Sequence, residues 1–225
     1  MKFAIRQSGK SFLLLDRYRL SLIATITTLN DDELRRIWTA CDGLIDYNNI
    51  VRLLILTGQR RTEIGGMRWS ELNTNDRTWT IPSERSKNGN AHTLTLPQAC
   101  WSIIDGIKRR DGIDVLFGFS DRGYSNWYLT KQALDRRCSI PPWTHHDIRR
   151  SVATGMADLG IQPHVIEAVL NHTSGHKAGV AGIYNRSSYA REVRNALALW
   201  ADHIASIVSG TERKVIPIGG SSIPA

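Results

Sequence analysis

The sequence is short of thiols, short of acid relative to base, and has no unbroken apolar run. Its three cysteines, Cys41, Cys100 and Cys138, are odd in number and far apart. That spacing fits buried free thiols in a reducing compartment better than a disulfide framework or a cysteine zinc site. The most apolar early stretch, FLLLDRYRLSLIA, is interrupted by Asp16, Arg17 and Arg19. It serves neither as a signal segment nor as a membrane span, which needs about 20 apolar residues. There is no internal repeat, Walker loop, GxGxxG or GxSxG, so phosphate-loop, dinucleotide-binding and serine-hydrolase functions find no anchor. Clustered carboxylates and a helical HxxxH pair are also lacking, which argues against a metal-dependent nuclease or phosphoesterase built from His145, His146, His172 and His176.

What is present is an ordinary globular composition with a strong bias of charge. The 225 residues suffice for one good-sized core, with or without a small appendage. Lys and Arg number 29 against 21 Asp and Glu, giving a net charge of +8 and a pI near 9.7. This favours a polyanionic partner, nucleic acid first and an anionic membrane surface second, against the alternative of a merely basic protein.

Residues 1–29 show no clear period and read as a short arm. From LNDDELRRIWTAC onward the helical pattern is clear, with Asn30 as N-cap, Glu33 completing a capping box, and Leu34, Ile37, Trp38 and Cys41 on one stripe. NNIVRLLILTG is a nearly all-apolar helix stopped by Gly58, and RRTEIGGMRW a further short helical piece weakened by its glycines. RTWTIP and AHTLTLP alternate with period two and read as strands, joined by SERSKNGN, whose Asn88-Gly89 is a hairpin signal. Helices follow in PQACWSIIDGIKRR, NWYLTKQALDRRC, 145–159, 163–170 and about 188–208, the last with Val193, Leu197, Trp200 and Ile204 on one face. Residues 210–225 carry Gly, Ser and Pro without period and read as a loose tail. The expected fold is mainly helical with a small antiparallel sheet.

The candidate chemistry is cationic. In THHDIRRSVAT, Thr144 caps a helix with Asp147 reaching back to it, and Ile148, Val152 and Met156 mark the core face. His146 and Arg149 then lie one turn apart at the core boundary, where they are either a surface pair opposing the helix dipole or a built anion site. His145 falls nearer the apolar stripe and reads as a packed histidine. Arg60 follows Gly58, Lys87 sits on the hairpin, and His172 follows a short helix in LNH; taken alone, Arg60 reads equally as a solvated loop charge, Lys87 as a solvated hairpin lysine and His172 as a structural histidine. Tyr184 follows the glycine-rich SGHKAGVAG, and Tyr189 starts the packing of the last helix.

Taken together, TGQRRTEIGGMRWSEL, SKNG, HDIRR, LNH and YNRSSYAREVRNALALWADHI resemble, in order, the motif boxes of the tyrosine recombinase (phage integrase) family, closest to integrases of prophages and genomic islands. The resemblance spans roughly residues 30–209. It implies a catalytic domain of α+β class with a three-stranded antiparallel sheet. It also implies an active site of Arg60, Lys87, His146, Arg149, His172 and the nucleophile Tyr184, with Glu63 supporting Arg60. The implied substrate is double-stranded DNA, cleaved through a 3′-phosphotyrosine without cofactor or metal. Self-association into a tetrameric synapse, DNA-bending or directionality partners, and a bacterial cytoplasmic, DNA-associated location follow from the same resemblance. Family members carry a core-binding domain ahead of the catalytic one, and only 29 residues precede it here, so that domain is expected to be absent. The rival expectations are a DNA-binding fragment without strand exchange and a type IB topoisomerase-like cleavage.

Overall fold

The computed structural model describes residues 28–43, 45–172 and 189–211. Helices α1 (Asp31–Ala40), α2 (Asp46–Thr57) and α3 (Arg61–Gly65) lead into a 3₁₀ turn at Trp69–Glu71. A sheet of β1 (Leu72–Asn73), β2 (Thr78–Ile81) and β3 (His92–Thr95) follows. Then come α4 (Gln98–Asp105), α5 (Trp127–Cys138), α6 (His145–Asp158), α7 (Pro163–Val169) and α8 (Ala190–Ser209).

Helix α2 is the axis of the domain. Ten of its twelve residues are buried, so α1, α3, α4, α6 and α8 all pack around it. Its sequence is apolar on most sides because only Asp46 and Arg52 reach toward water. Gly58 ends it with φ 64°, a left-handed residue at the position where helices commonly stop. The same glycine lets the chain pass close to α6 and α7: a Cβ there would sit 2.8 Å from Leu170 Cδ2 and 2.9 Å from Val152 Cγ1. Helix α1 starts with the expected box, in which Asn30 Oδ1 accepts from Glu33 N and Glu33 Oε2 accepts from Asn30 N, both at 2.9 Å.

The sheet runs β1-β2-β3, all antiparallel, with Trp79 opposite Leu94 and Ile81 opposite His92. Those four side chains form its buried face, while Thr80 and Thr93 share a hydrogen bond of 3.0 Å on the exposed face. The pairing of period-two strands is as expected, but the connection is not a two-residue hairpin. Residues 82–91 form a ten-residue loop whose turn is closed by Gly89 N donating to Ser86 O at 3.0 Å. Helix α4 also stops at Asp105, five residues before Arg110, and the following chain turns to pair Val115 with Arg68. Cys41, Cys100 and Cys138 are all buried free thiols, as the spacing suggested.

The last helix closes the core through Trp200, 1% exposed, whose indole N–H donates to Ile55 O of α2 at 2.7 Å. Its ring lies against Gly155 of α6, where a Cβ would come within 2.4 Å of Trp200 Cζ3. A mid-helix glycine normally weakens a helix by up to about 1 kcal/mol. Here it makes room for the indole. Gly155→Ala should therefore destabilise the protein by about 1–3 kcal/mol, despite its better helix propensity. Chemical denaturation checks this, and a stabilised Gly155→Ala would mean the indole has slack to move.

Candidate active site

Two helix ends build the site. At the end of α2, Gly58 is followed by Gln59 and Arg60; at the end of α7, Leu170 is followed by Asn171 and His172. The last carbonyls of a helix have no partner within it and must be satisfied from outside. Arg149 of α6, 4% exposed, does this for both ends at once: its guanidinium donates to Gly58 O at 2.7 Å and to Leu170 O. Gln59, 1% exposed, repeats the pattern, donating from Nε2 to Thr57 O at 3.0 Å and Val169 O at 2.8 Å. His92 of β3 bonds Val169 O as well, at 3.1 Å. The sheet and helices α2, α6 and α7 are thus joined by polar contacts where the site forms.

Arg60 is held by Glu63, whose buried carboxylate accepts from Arg60 N at 3.0 Å and from Arg60 Nη1 at 3.1 Å. Its other terminal nitrogen reaches Asn88 Oδ1 at 3.4 Å. Asn88 in turn donates to Asn171 O, and Asn171 Nδ2 donates to Ser86 Oγ at 3.1 Å. The loop carrying Lys87 is therefore docked rather than free, and Arg85 anchors its base through a bidentate pair with Glu71 (2.6 and 2.7 Å).

On α6, Asp147 caps Thr144 as expected, accepting from its N–H and hydroxyl, both at 2.8 Å. His145 packs among Tyr47, Trp127 and Trp143 and bonds Tyr47 Oη at 2.9 Å, the packed role the stripe indicated. His146 and Arg149 divide: the histidine is exposed and the arginine buried. Gln59, Arg60, Thr62, Lys87, His146 and Arg149 line one open cleft of about 320 Å³, so four of the six expected residues meet there. His172 is exposed beside it, its N–H bonded to Glu167 O at 2.9 Å. Tyr184 lies outside the described residues, as does His176. Gln59, Asn88, Asn171 and His92 escaped the sequence reading; the one available signal was the asparagine of LNH, a residue type that tolerates the left-handed φ of 49° found there.

Cations outweigh carboxylates around the two histidines of the site. Partial burial, then Arg150 and Arg149, hold the His146 imidazole below its ordinary pKa, and burial, then Arg149 and Arg60, do the same to His172. Burial and the neighbouring Arg60 push Arg149 down to about 10, still fully charged at neutral pH. The cleft therefore offers two guanidiniums, a lysine and two neutral imidazoles, a set that matches a phosphodiester flanked by groups exchanging protons.

Comparison with known proteins gives this helical domain with its cationic cleft a family. The phage integrase family model matches residues 27–191. The chain belongs to that family, and its described part is a tyrosine recombinase catalytic domain of prophage integrase type. It is 32% identical over 161 residues to prophage integrase IntA of Escherichia coli K12, covering 70% of this chain and 38% of that protein. The chain thus spans well under half of that relative's length. In fold it resembles the integrase of mycobacterium phage Brujita, with TM-score 0.61, 16% identity, and coverage of 81% of this chain and 63% of that one. It also resembles lambda integrase (75–356), solved as a dimer bound to a COC′ core site, with TM-score 0.52, 20% identity, and coverage of 66% and 58%. Among the described residues no helix is long and apolar enough to cross a membrane.

Two measurements probe this construction. Arg149→Ala leaves the carbonyls of Gly58 and Leu170 without their donor and should lower stability by about 2 kcal/mol or more, against about 0.5 kcal/mol or less for exposed His146→Ala. Equal losses in denaturant melts would mean water replaces the guanidinium without penalty. The second concerns His145, lowered to about 4 by burial, then Arg61 and Lys131. The folded ring stays neutral while the unfolded ring protonates below about 6.5. Stability is thus complete above about 6.5 and falls as the pH drops toward 4. His145→Gln should lose less melting temperature than the parent between pH 7.5 and 5; an identical loss would assign the acid sensitivity to other groups.

Proposed function

We propose that this chain is the catalytic part of a site-specific recombinase that cleaves and rejoins double-stranded DNA through a 3′-phosphotyrosine. The observation that carries it is the convergence of Arg60, Lys87, His146 and Arg149 on one cleft, with His172 beside it in the same electrostatic field. The DNA-bound state of lambda integrase supports duplex DNA as the substrate. Self-association on DNA into a four-copy synapse, bacterial cytoplasmic location and help from DNA-bending proteins belong to the same proposal.

The tyrosine hydroxyl oxygen forms a bond to phosphorus as the bond to the 5′-oxygen breaks. The step is reversed when a second 5′-hydroxyl attacks, so the bond energy is conserved in the protein–DNA ester. Tyr184 is the nucleophile by its position in the motif. At a reference pKa of about 10, roughly one tyrosine in a thousand is ionised at pH 7, which leaves about 4 kcal/mol of barrier. His146, neutral at that pH, accepts the proton, and the nearby guanidiniums favour the phenolate. Arg60 and Arg149 meet the extra charge on the non-bridging oxygens with fixed donors, and His172 adds a hydrogen bond. Preorganisation is built in: Glu63 fixes Arg60 and the helix-end carbonyls fix Arg149 before DNA arrives. Lys87, exposed at the cleft rim, delivers a proton to the departing 5′-oxygen.

The experiment is incubation with a nicked duplex that traps the covalent complex, followed by a denaturing gel. The parent should yield a protein–DNA band, Tyr184→Phe none while still binding DNA, and Arg60→Ala a rate lower by about a hundredfold. A normal band from Tyr184→Phe that disappears in Tyr189→Phe would reassign the nucleophile. Absence of a band from the parent would leave a DNA-binding role in place of the enzymatic one.

A further inference from the structure

Lys87 is an exposed cation of the cleft, on a ten-residue loop, yet a general acid must arrive at one oxygen with little freedom to wander. What restrains it is not its own side chain. The residue before it, Ser86, is 7% exposed and accepts a hydrogen bond from Asn171 Nδ2 at 3.1 Å. The residue after it, Asn88, donates from Nδ2 to the main-chain carbonyl of the same Asn171. A single residue therefore holds both neighbours of the lysine. Asn171 manages this because it stands at φ 49°, just past the end of α7, with its N–H on Ala168 O at 3.3 Å. Its left-handed backbone turns carbonyl and side chain together toward the loop. Glycine would fit that conformation more easily but could offer only the carbonyl.

We propose that Asn171 is a positioning residue for the strand-cleavage reaction, holding Lys87 at the cleft by gripping Ser86 through its side chain and Asn88 through its carbonyl. The inference rests on the recombinase function proposed above and extends it to a residue that touches neither the phosphate nor the nucleophile. It also gives LNH a second task. The residue preceding His172 also sets the lysine, so the group that bonds the phosphate and the general acid share one support.

Asn171→Gly is the informative substitution, because it keeps the left-handed backbone and the carbonyl bonded to Asn88 and removes only the grip on Ser86. Its melting temperature should stay near the parent's. Cleavage of an ordinary substrate should slow roughly three- to tenfold, the worth of one hydrogen bond. On a substrate whose bridging 5′-oxygen is sulfur, which leaves without a proton, the defect should largely vanish, as it should for Lys87→Ala. In the Lys87→Ala background, Asn171→Gly should slow cleavage by less than about twofold, since coupled residues are not additive. Ser86→Ala should reproduce the pattern and replaces Asn171→Gly should that variant fold poorly. Equal slowing on both substrates, or full additivity with Lys87→Ala, overturns the proposal. Hydrogen exchange of the 82–91 amides tests the grip without DNA: exchange faster by about threefold or more in Asn171→Gly supports it, and unchanged exchange overturns it. A parent that gives no covalent product on either substrate sinks the recombinase assignment instead, and the exchange arm still decides the grip.

Discussion

The structure depends on a buried guanidinium placed between two helix ends. Burying a cation is unfavourable unless its charge and its N–H groups are met. Arg149 meets this condition with Gly58 O and Leu170 O, carbonyls at the negative ends of α2 and α7. Each side solves the other's problem, since the carbonyls lack helical partners and the arginine lacks a carboxylate among its hydrogen-bond acceptors. The arrangement fixes the spacing between the segments that follow, Gln59–Arg60 on one side and Asn171–His172 on the other. Gln59 and His92, both directed at Val169 O, brace the same junction from α2 and the sheet.

With that junction set, the cleft acquires its chemistry through charge. Arg60 is neutralised on one side by Glu63 and keeps its remaining edge toward Asn88 and the cleft. The carboxylate that supports it is buried at 1% exposure, so solvent does not screen the pair. His146 and His172 stand in the resulting positive field and remain neutral more readily than free histidines do. An incoming phosphate changes this balance. Its negative charge lowers the cost of a proton on either ring, opposing the arginines that hold both rings neutral.

Much of this was legible in the sequence, for identifiable reasons. Helix α6 announces itself through Thr144, Asp147 and the Ile148–Val152–Met156 stripe, because capping and periodicity are local properties. The strands show through Trp79, Ile81 and Leu94, whose alternation reflects one buried face. The two-residue β1 was invisible to period counting and came only from the family resemblance, since its pairing with Trp79 is set by partners and not by its own pattern. The motif boxes named Arg60, Lys87, His146, Arg149 and His172 as a group, while spacing alone left each open to a bland explanation. Arg149's burial was not foreseeable from HDIRR: a period analysis puts it at the core edge, and only the meeting of α2 with α7, more than a hundred residues apart, draws it inside. The docking of the 82–91 loop was hidden for the same reason. Asn88 reads as a turn residue, and its partners Arg60 and Asn171 are distant in sequence.

The unequal burial of the cationic residues sets an order in which they can be lost. Lys87 and His146 are exposed, and neither is among the contacts that hold the helix ends together. A copy that changes either one can still fold. Arg149 and Glu63 are different, because a change there strands helix carbonyls or a buried charge and lowers the stability of the whole domain. Degenerate descendants of such a gene should therefore keep the buried arginine and its acid long after the lysine and the exposed histidine have drifted. Retention of HDIRR's first arginine, Arg149, marks a folded domain, whereas Lys87 and His146 can drift without loss of the fold.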